Sequence, residues 1–307
     1  MYTKDMKIIY LILIVIVVVV IFSLFNSEST FVYTKPTTTN TIIPKTEGTE
    51  SLKDKFVDIT IPTGSFSFAY LDLNSNQKFT INPDEEFYYA SIFKLPVAVT
   101  VFKNLDSKKY TLQDKFTYLK EDYASGDGSL QYNKFDSDYT INQLLVYLLK
   151  ESDNVAMNIF IREFGIDNIY QTALDLGTSK NFANNNTGKV SDGITMFKNI
   201  DTTNIISDES KTILYTYLTD TSFEDRIKPG LKNNSSLVHK IGTWPNTASF
   251  HDCGIVINDD YKYYICILTK DTNLKNAQEL STNLSQITEN LYWSSLSYLI
   301  VIILFLC

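Results

Sequence analysis

Alternating apolar and polar residues predict β-strands in two widely separated parts of this chain. The first part is residues 65–82, where two strand patterns flank a polar turn and form a hairpin. The second part holds three more strand patterns, at 237–241, 250–257 and 263–269. Helical periodicity dominates between the two parts, and a final amphipathic helix is predicted from about Leu274 to Tyr292. The pattern predicts an α+β fold: an antiparallel five-stranded sheet flanked by helices, with an all-helical insertion lobe.

An apolar run from Ile8 to Phe25 is about long enough to cross a bilayer as a helix. Lys4 and Lys7 precede it and would keep the N-terminus inside. A cleaved signal peptide is the alternative, but neither a small-x-small cleavage site nor a lipid-accepting cysteine follows the run. We therefore expect residues 1–25 to be an uncleaved, single-pass membrane anchor.

The segments on either side of the predicted domain differ in character. Residues 26–50 are rich in Thr, Ser, Pro and Asn, which is typical of a solvated tether. We expect residues 51–292 to form one domain held outside the cytoplasm at the cell membrane. Residues 293–307 are an apolar tail that is short for a membrane span. It is either a second membrane contact or a continuation of the last helix.

Charge and metal-ligating residues exclude two classes of function. The formal net charge is −8 and no basic stripe is present, which argues against nucleic acid as a partner. The two histidines and three cysteines lack the spacing of a zinc motif. We therefore predict no metal and no cofactor.

Two of the cysteines are predicted to face each other across a hairpin. Residues 258–261 are a turn signal, and a two-residue loop at Asp259 and Asp260 would place Cys253 directly opposite Cys266. Both a disulfide and two reduced core thiols are compatible with that register. We expect reduced thiols, because cross-strand disulfides usually carry strain.

Ser91 and Lys94 stand three positions apart at the head of an apolar helical segment. This spacing puts both side chains on one helical face. A serine hydroxyl is a weak nucleophile until a base takes its proton, and a lysine can be that base only if desolvation or another cation lowers its pKa. The Ser91 N–H, near the helix start, could form half of an oxyanion hole. The alternative is a serine that caps an ordinary buried helix, with Lys94 reaching solvent.

Two further motifs complete a candidate site. Ser152, Asp153 and Asn154 stand between two helical segments, as an ordinary helix cap or as a proton-passing hydroxyl beside an amide that holds a substrate amide. Lys240 is followed two places later by Gly242 on a predicted strand. A fixed cation there could meet a substrate carboxylate while the glycine lets the substrate backbone approach. The alternative is a solvated lysine at a strand end.

Taken together and in this order, the three motifs resemble those of the penicillin-recognising serine hydrolases, most closely class A β-lactamases of the penicillin-binding protein and β-lactamase superfamily. The resemblance covers about residues 52–292. It includes four longer segments, at 90–96, 126–131, 225–231 and 251–256.

The resemblance implies a role for each motif residue. Ser91 would be the acylated nucleophile, Lys94 the base that activates it, and Ser152 the group that relays the proton to the leaving nitrogen. Asn154 would hold the side-chain amide of the substrate. Lys240 would anchor the substrate carboxylate and help to lower the pKa of Lys94.

Two further residues of the strand motif would also bind substrate. Gly242 permits close approach of the substrate, and the backbone N–H of Thr243 would complete the oxyanion hole with that of Ser91. Ile241 stands where the family usually has threonine or serine, so one hydroxyl contact to the substrate is missing.

A second departure concerns hydrolysis of the acyl-enzyme. Class A β-lactamases carry a glutamate after the Ser-Asp-Asn motif that activates the deacylating water, but the matching residues 176–191 contain no carboxylate. Asp175 and Asp192 are the nearest acids. We expect a serine hydrolase that forms an acyl-enzyme on Ser91 with β-lactams or D-Ala-D-Ala peptides of the peptidoglycan type and releases it slowly. The alternatives are a true β-lactamase with an unconventional deacylating group and a catalytically weak peptide-binding module.

Overall fold

The computed structural model describes residues 46–48, 50–56, 58–75 and 77–306. The predicted anchor, residues 1–25, and all but the end of the predicted tether lie outside the described residues. Within the described part of the chain, no helix is both long enough and apolar enough to span a membrane.

A central antiparallel sheet brings the two strand-forming parts of the chain together. Its strands, in spatial order, are β1 (Thr46–Gly48), β3 (Gln77–Ile81), β2 (Ser65–Asp72), β10 (Lys262–Lys270), β9 (Ser249–Ile257) and β8 (Ser236–Trp244). Five of these are the predicted strands, so the predicted α+β fold and five-stranded sheet are confirmed. The short β1, from the end of the predicted tether, adds an edge strand beside β3.

Helices cover both faces of the sheet and form the insertion lobe. The α-helices among the described residues are α1 (Glu50–Lys53), α2 (Lys94–Asp106), α3 (Ile141–Lys150), α4 (Asn154–Phe164), α5 (Ile166–Asp175), α6 (Lys180–Asn185), α7 (Val190–Thr202), α8 (Asp208–Tyr217) and α9 (Leu274–Leu306). Two small two-stranded sheets pair β4 (Glu86–Tyr88) with β7 (Thr187–Lys189) and β5 (Lys115–Tyr118) with β6 (Ser137–Thr140). Helix α9 continues through residues 293–306 of the apolar tail.

The sheet separates two hydrophobic cores because side chains alternate between its faces. Leu268 and Ile255 face the larger core, which lies among the helices of the insertion lobe. Ile267 and Phe68 face the smaller core, to which Leu284 of α9 contributes. The helical lobe therefore packs on one face of the sheet, and the β8 edge lies beside the head of α2.

The predicted register of the last hairpin is observed, and the prediction of reduced thiols is wrong. Cys253 pairs with Cys266 in the β9–β10 ladder, and a disulfide joins them. Gly193 of α7 leaves the space for the two sulfur atoms, since a Cβ atom at this position would lie 2.5 Å from Cys266 Sγ and 3.0 Å from Cys253 Sγ. The packing that makes room for the bond comes from another element, which the hairpin register alone does not specify.

Candidate active site

Ser91 lies in a short 3₁₀ turn, Ala90–Phe93, that leads directly into α2. Ala90 has a left-handed backbone with φ of 50°, a conformation that only tertiary contacts can maintain in a residue other than glycine. Those contacts come from Tyr89, whose backbone N–H donates to the Asn186 carbonyl over 2.8 Å and whose buried hydroxyl accepts from the Gly193 N–H over 3.0 Å. The nucleophile candidate is therefore held in place from behind by Asn186, which directly follows α6, and by Gly193 of α7.

Lys94 is the first residue of α2, and its side chain is only 1% exposed. Its Nζ lies 2.8 Å from Ser91 Oγ, 2.7 Å from Asn154 Oδ1 and 3.4 Å from Ser152 Oγ. Lys94 thus does not reach solvent, which was the alternative to a catalytic role. The geometry lets a neutral amine accept the proton of Ser91.

Burial lowers the pKa of Lys94 to about 8, against the opposing fields of Asp127 and Asp153. The pKa of Lys240 is also lowered well below its usual value, first by burial and then by repulsion from Lys94. The expected lowering of the Lys94 pKa by Lys240 is not seen: burial lowers the pKa of Lys94, and the repulsion between the two lysines lowers the pKa of Lys240 instead. A carboxylate bound beside Lys240 would raise the pKa of that lysine again.

Two neighbouring residues between α3 and α4 have different tasks: Asp153 caps α4, and Ser152 is part of the site. Asp153 is buried and caps α4, since its Oδ1 accepts from the Ala156 N–H over 2.8 Å. Ser152 itself has a left-handed φ of 56° and is wholly buried. Its Oγ accepts from Lys240 Nζ over 2.9 Å. This places one hydroxyl between the two lysines, where it can pass a proton.

Asn154, at the start of α4, orients its amide by two hydrogen bonds. Its Oδ1 accepts from Lys94, and its Nδ2 donates to the Ser125 carbonyl over 3.1 Å. The side chain is half-buried and borders the open cleft. The amide is therefore held at a fixed angle beside the nucleophile.

Strand β8 contributes the remaining predicted residues. Lys240 is 2% exposed and donates to its neighbour's carbonyl as well as to Ser152, so it is not a solvated strand-end lysine. A Cβ atom on Gly242 would lie 2.5 Å from the Tyr89 carbonyl oxygen, so glycine is required for β8 to approach the Ser91 turn. Thr243 borders the cleft, whereas the side chain of Ile241 is buried.

Arg226 is a site residue that sequence reasoning did not single out. Its guanidinium donates to the His251 carbonyl over 2.6 Å and to Thr243 Oγ1 over 2.8 Å, although the side chain is only 3% exposed. It thereby places a second buried cation behind the strand that carries Lys240. The segment 225–231 did carry the family resemblance, but nothing in the sequence indicated that this arginine would turn toward β8.

A cleft of about 660 Å³ opens in front of Ser91. Its walls are formed by the Ala124–Asp127 loop, by one face of α4, by β8 with the residues after it, and by Asn184, Asn185 and Asn186. Among the described residues, Asp127 is the only carboxylate that lines it. Asn186 Nδ2 donates to the Ala90 carbonyl over 2.9 Å, and its Oδ1 is buried without a hydrogen-bond partner in the described part of the chain.

The two acids considered as deacylating groups lie elsewhere. Asp175 forms an ion pair with Lys103 over 2.7 Å on the surface of the helical lobe. Asp192 accepts from the Lys189 N–H over 2.9 Å at the start of α7 and is buried. Neither residue lines the cleft. The structure therefore does not place either acid where it could activate a water near Ser91.

Comparison with known proteins agrees with this architecture. A model of the β-lactamase enzyme family matches residues 52–293, so the chain belongs to that family. The β-lactamase VEB-1 of Pseudomonas aeruginosa is 25% identical over 71% of this chain and 83% of its own length. The structure of PBP-A has a TM-score of 0.71, with 23% identity over 80% of this chain and 95% of that one. A variant of PBP-A in an acyl-enzyme complex with penicillin G has a TM-score of 0.69, with 24% identity over 76% of this chain and 92% of that one.

Proposed function

We propose that this member of the β-lactamase enzyme family forms an acyl-enzyme on Ser91 with β-lactams and with peptides that end in D-Ala-D-Ala, and that it releases the acyl group slowly. One observation carries the proposal. Ser91, Lys94, Ser152 and Lys240 form a continuous chain of hydrogen bonds that begins at Ser91 in the cleft and runs inward to the buried Ser152 and Lys240. Such a chain can move one proton from nucleophile to leaving group without contact with bulk water.

In the proposed acylation, neutral Lys94 takes the Ser91 proton as the Oγ atom attacks the substrate carbonyl. The backbone N–H groups of Ser91 and Thr243 stabilise the developing oxyanion. The C–N bond then breaks, and the proton passes through Ser152 to the leaving nitrogen. In a β-lactam that nitrogen stays attached to the acyl group, whereas in a peptide it leaves with D-alanine.

Substrate binding would use Lys240 on β8 and Arg226 behind that strand. Lys240, with Arg226 behind it, favours a carboxylate on the side of the substrate that faces Thr243. Asn154 has its Nδ2 and Oδ1 at the cleft and would hold the amide of the acyl side chain. These contacts fit the carboxylate and amide that penicillins share with acylated D-Ala-D-Ala.

Slow release follows from the wall opposite Ser91, where residues 184–186 offer only amides. The unpaired Oδ1 of Asn186 can accept a hydrogen bond from a water, but an amide cannot take its proton. General-base assistance is worth about 10²- to 10⁴-fold, so its absence should prolong the acyl-enzyme by a comparable factor. The complex of a PBP-A variant with penicillin G is an acyl-enzyme in a similar fold, which supports the first half of the reaction.

Two alternatives receive less support. A true β-lactamase with Asp175 or Asp192 as base is disfavoured because neither acid lines the cleft. A binding module without turnover is disfavoured by the intact chain of hydrogen bonds from Ser91 to Lys240.

Intact-mass spectrometry with benzylpenicillin over time tests the proposal. One adduct should form and persist for minutes or longer, Ser91→Ala should abolish it, and Lys94→Ala should slow its formation severely. Ser129→Ala is the matched control, because Ser129 bonds Glu151 and does not line the cleft. An adduct that survives Ser91→Ala, or rapid multiple turnover without an adduct, would overturn the proposal.

We also propose that the domain works outside the cytoplasm, tethered to the cell membrane by the apolar run of residues 8–25. Support for this comes from the sequence: the length of the run, the two lysines before it and the polar segment after it. Protease treatment of intact cells should digest the domain and leave a membrane-bound N-terminal fragment. Protection of the domain until the cells are lysed would contradict the proposed orientation.

A further inference from the structure

His239 is a buried histidine whose two ring nitrogens both face carboxylates. It stands on β8 directly before Lys240 and does not line the cleft. Its Nδ1 lies 2.7 Å from Asp252 Oδ1 on β9, and its Nε2 lies 3.2 Å from Glu224 Oε1. An ionised carboxylate only accepts hydrogen bonds, so both ring nitrogens must carry hydrogen and the imidazole is a cation.

The fold leaves room for this cation on the face of the sheet opposite to that of Lys240, because side chains alternate along β8. Gly254 pairs with His239 in the β8–β9 ladder, and a Cβ atom there would lie 2.7 Å from His239 Cβ. The Thr221 hydroxyl donates to Glu224 over 3.0 Å, so it faces the ring, 3.3 Å from Nε2, as a further acceptor.

Asp252 connects the His239 cation to the segment that carries Arg226. Its second oxygen, Oδ2, accepts from the Ile227 N–H over 3.2 Å, so one carboxylate holds both the imidazolium and the backbone next to Arg226. Burial lowers the pKa of Arg226, and the field of Asp252 is the largest influence that opposes it. Arg226 and His239 therefore compete for the same carboxylate.

His239 holds this carboxylate, and the Arg226 guanidinium is directed elsewhere. Its Nε lies 3.7 Å from the Asp225 carboxylate, beyond hydrogen-bond distance. Its terminal nitrogens donate over 2.6 to 3.3 Å to neutral oxygens, namely the carbonyl oxygens of Gly242 and His251 and the hydroxyl of Thr243. The positive charge thus stays behind Thr243, at the border of the cleft.

We propose that His239 is a positioning residue that makes the site selective for substrates with a free carboxylate. Because His239 occupies Asp252, the guanidinium of Arg226 stays on β8 beside the cleft. Without the imidazolium, Asp252 draws the guanidinium away from Thr243. The inference rests on the proposed function in one respect, namely that Lys240 and Arg226 attract the substrate carboxylate.

Benzylpenicillin and its methyl ester differ in the one group that the inference concerns. The second-order rate constant for acylation is measured for each at pH 7, by competition with a fluorescent penicillin. The proteins are the wild type, His239→Gln, Asp252→Asn and the double variant. The readout is the acid-to-ester ratio of the two rate constants, because effects on the shared steps of acylation cancel in it. Glu289→Gln is the matched control, since this buried carboxylate bonds Tyr261 and Tyr263 in the smaller core and does not line the cleft.

His239→Gln should lower the ratio about tenfold, as expected for the loss of an interaction with a charged group. In the Asp252→Asn background the same substitution should change the ratio less than about twofold, because no carboxylate remains to attract Arg226. Glu289→Gln should leave the ratio unchanged. An unchanged ratio in His239→Gln, an equal fall in both backgrounds, or a similar fall in the control would each overturn the inference.

If His239→Gln does not fold, the wild type provides the test, because Asp252 and Glu224 outweigh burial and raise the pKa of His239 to about 9. Its ratio should fall about tenfold further between pH 7 and pH 10 than that of the double variant, in which Lys240 titrates but His239 is absent. Equal falls would overturn the inference.

Labelling of the wild type by benzylpenicillin is scored first. Its absence would overturn the proposed function and this inference with it. Labelling without the expected changes in the ratio would overturn the inference alone.

Discussion

The depressed pKa of Lys94 makes a quantitative prediction for acylation. The base must be neutral to accept the Ser91 proton, and its pKa of about 8 lies within the range in which proteins can be assayed. The neutral fraction is then about one in eleven at pH 7, about one half at pH 8 and about ten in eleven at pH 9. The second-order rate constant for acylation by benzylpenicillin should therefore rise about fivefold from pH 7 to pH 8 and less than twofold from pH 8 to pH 9.

A single substitution should move this profile in a known direction. Burial lowers the pKa of Lys94, and Asp127 is the largest of the influences that raise it. Asp127→Asn removes a negative charge, so the protonated lysine is less favoured and the midpoint should fall below that of the wild type. The exposed Asp138→Asn control should leave the midpoint in place.

Stopped-flow measurement with a fluorescent penicillin between pH 6 and pH 10 gives both profiles. A midpoint near the ordinary lysine value of 10.5 would mean that Lys94 is not desolvated in solution, or is not the base. A rate that falls as pH rises would refute a neutral lysine base altogether. A midpoint that rises on Asp127→Asn would refute the electrostatic argument while leaving the base assignment in place.

Three predictions concern stability, each measured by urea denaturation. Burial lowers the pKa of His239, but Asp252 and Glu224 together outweigh it and raise that pKa to about 9. His239→Gln should therefore cost about 3 kcal/mol at pH 6, a contribution that is complete below pH 6.5 and is lost as pH rises through about 9. Gly193→Ala should cost about 1–3 kcal/mol, since its Cβ would lie 2.5 Å from Cys266 Sγ, and an unchanged midpoint would show that α7 can shift. Tyr292→Phe should cost about 1–2 kcal/mol because its hydroxyl bonds a buried tyrosine and a buried aspartate, and no loss would mean that water replaces both bonds.

Strand pattern and motif spacing together were sufficient to predict five strands of the sheet and the motif residues that meet at the site. The alternation at 65–82 and 237–269 reflects burial of one side of each strand, which is a local property of the sequence. Ser91, Lys94 and Ser152 could be selected as candidates because proton transfer requires particular residue types at particular spacings. The alternatives in which Lys94 reaches solvent and Lys240 is a solvated strand-end lysine are wrong, because both amines are buried. Such burial depends on the whole fold and cannot be read from the local sequence.

Features that depend on contacts between distant elements could not be predicted. The bond between Cys253 and Cys266 needs the space left by Gly193, which lies on a helix rather than in the hairpin. The position of Arg226 behind Thr243 depends on the path of a loop, for which the sequence has no periodic signal.

The division of the site between separate walls is consistent with the proposal that this chain forms an acyl-enzyme but hydrolyses it slowly. The groups proposed for acylation come from the head of α2, the start of α4 and β8. The bonds among Lys94, Ser152 and Lys240 couple them, so the loss of one disturbs the rest. In this arrangement a base for hydrolysis would stand on a separate wall of the cleft, the one formed by residues 184–186. This wall contacts the Ser91 turn through the side chain and the backbone of Asn186. Two bonds tie that wall to the turn, and they position Ala90 and Tyr89 whether or not an acid is present. An acid can therefore be absent from this wall without disturbing the geometry proposed for acylation, and we expect the lifetime of the adduct to vary independently of its rate of formation.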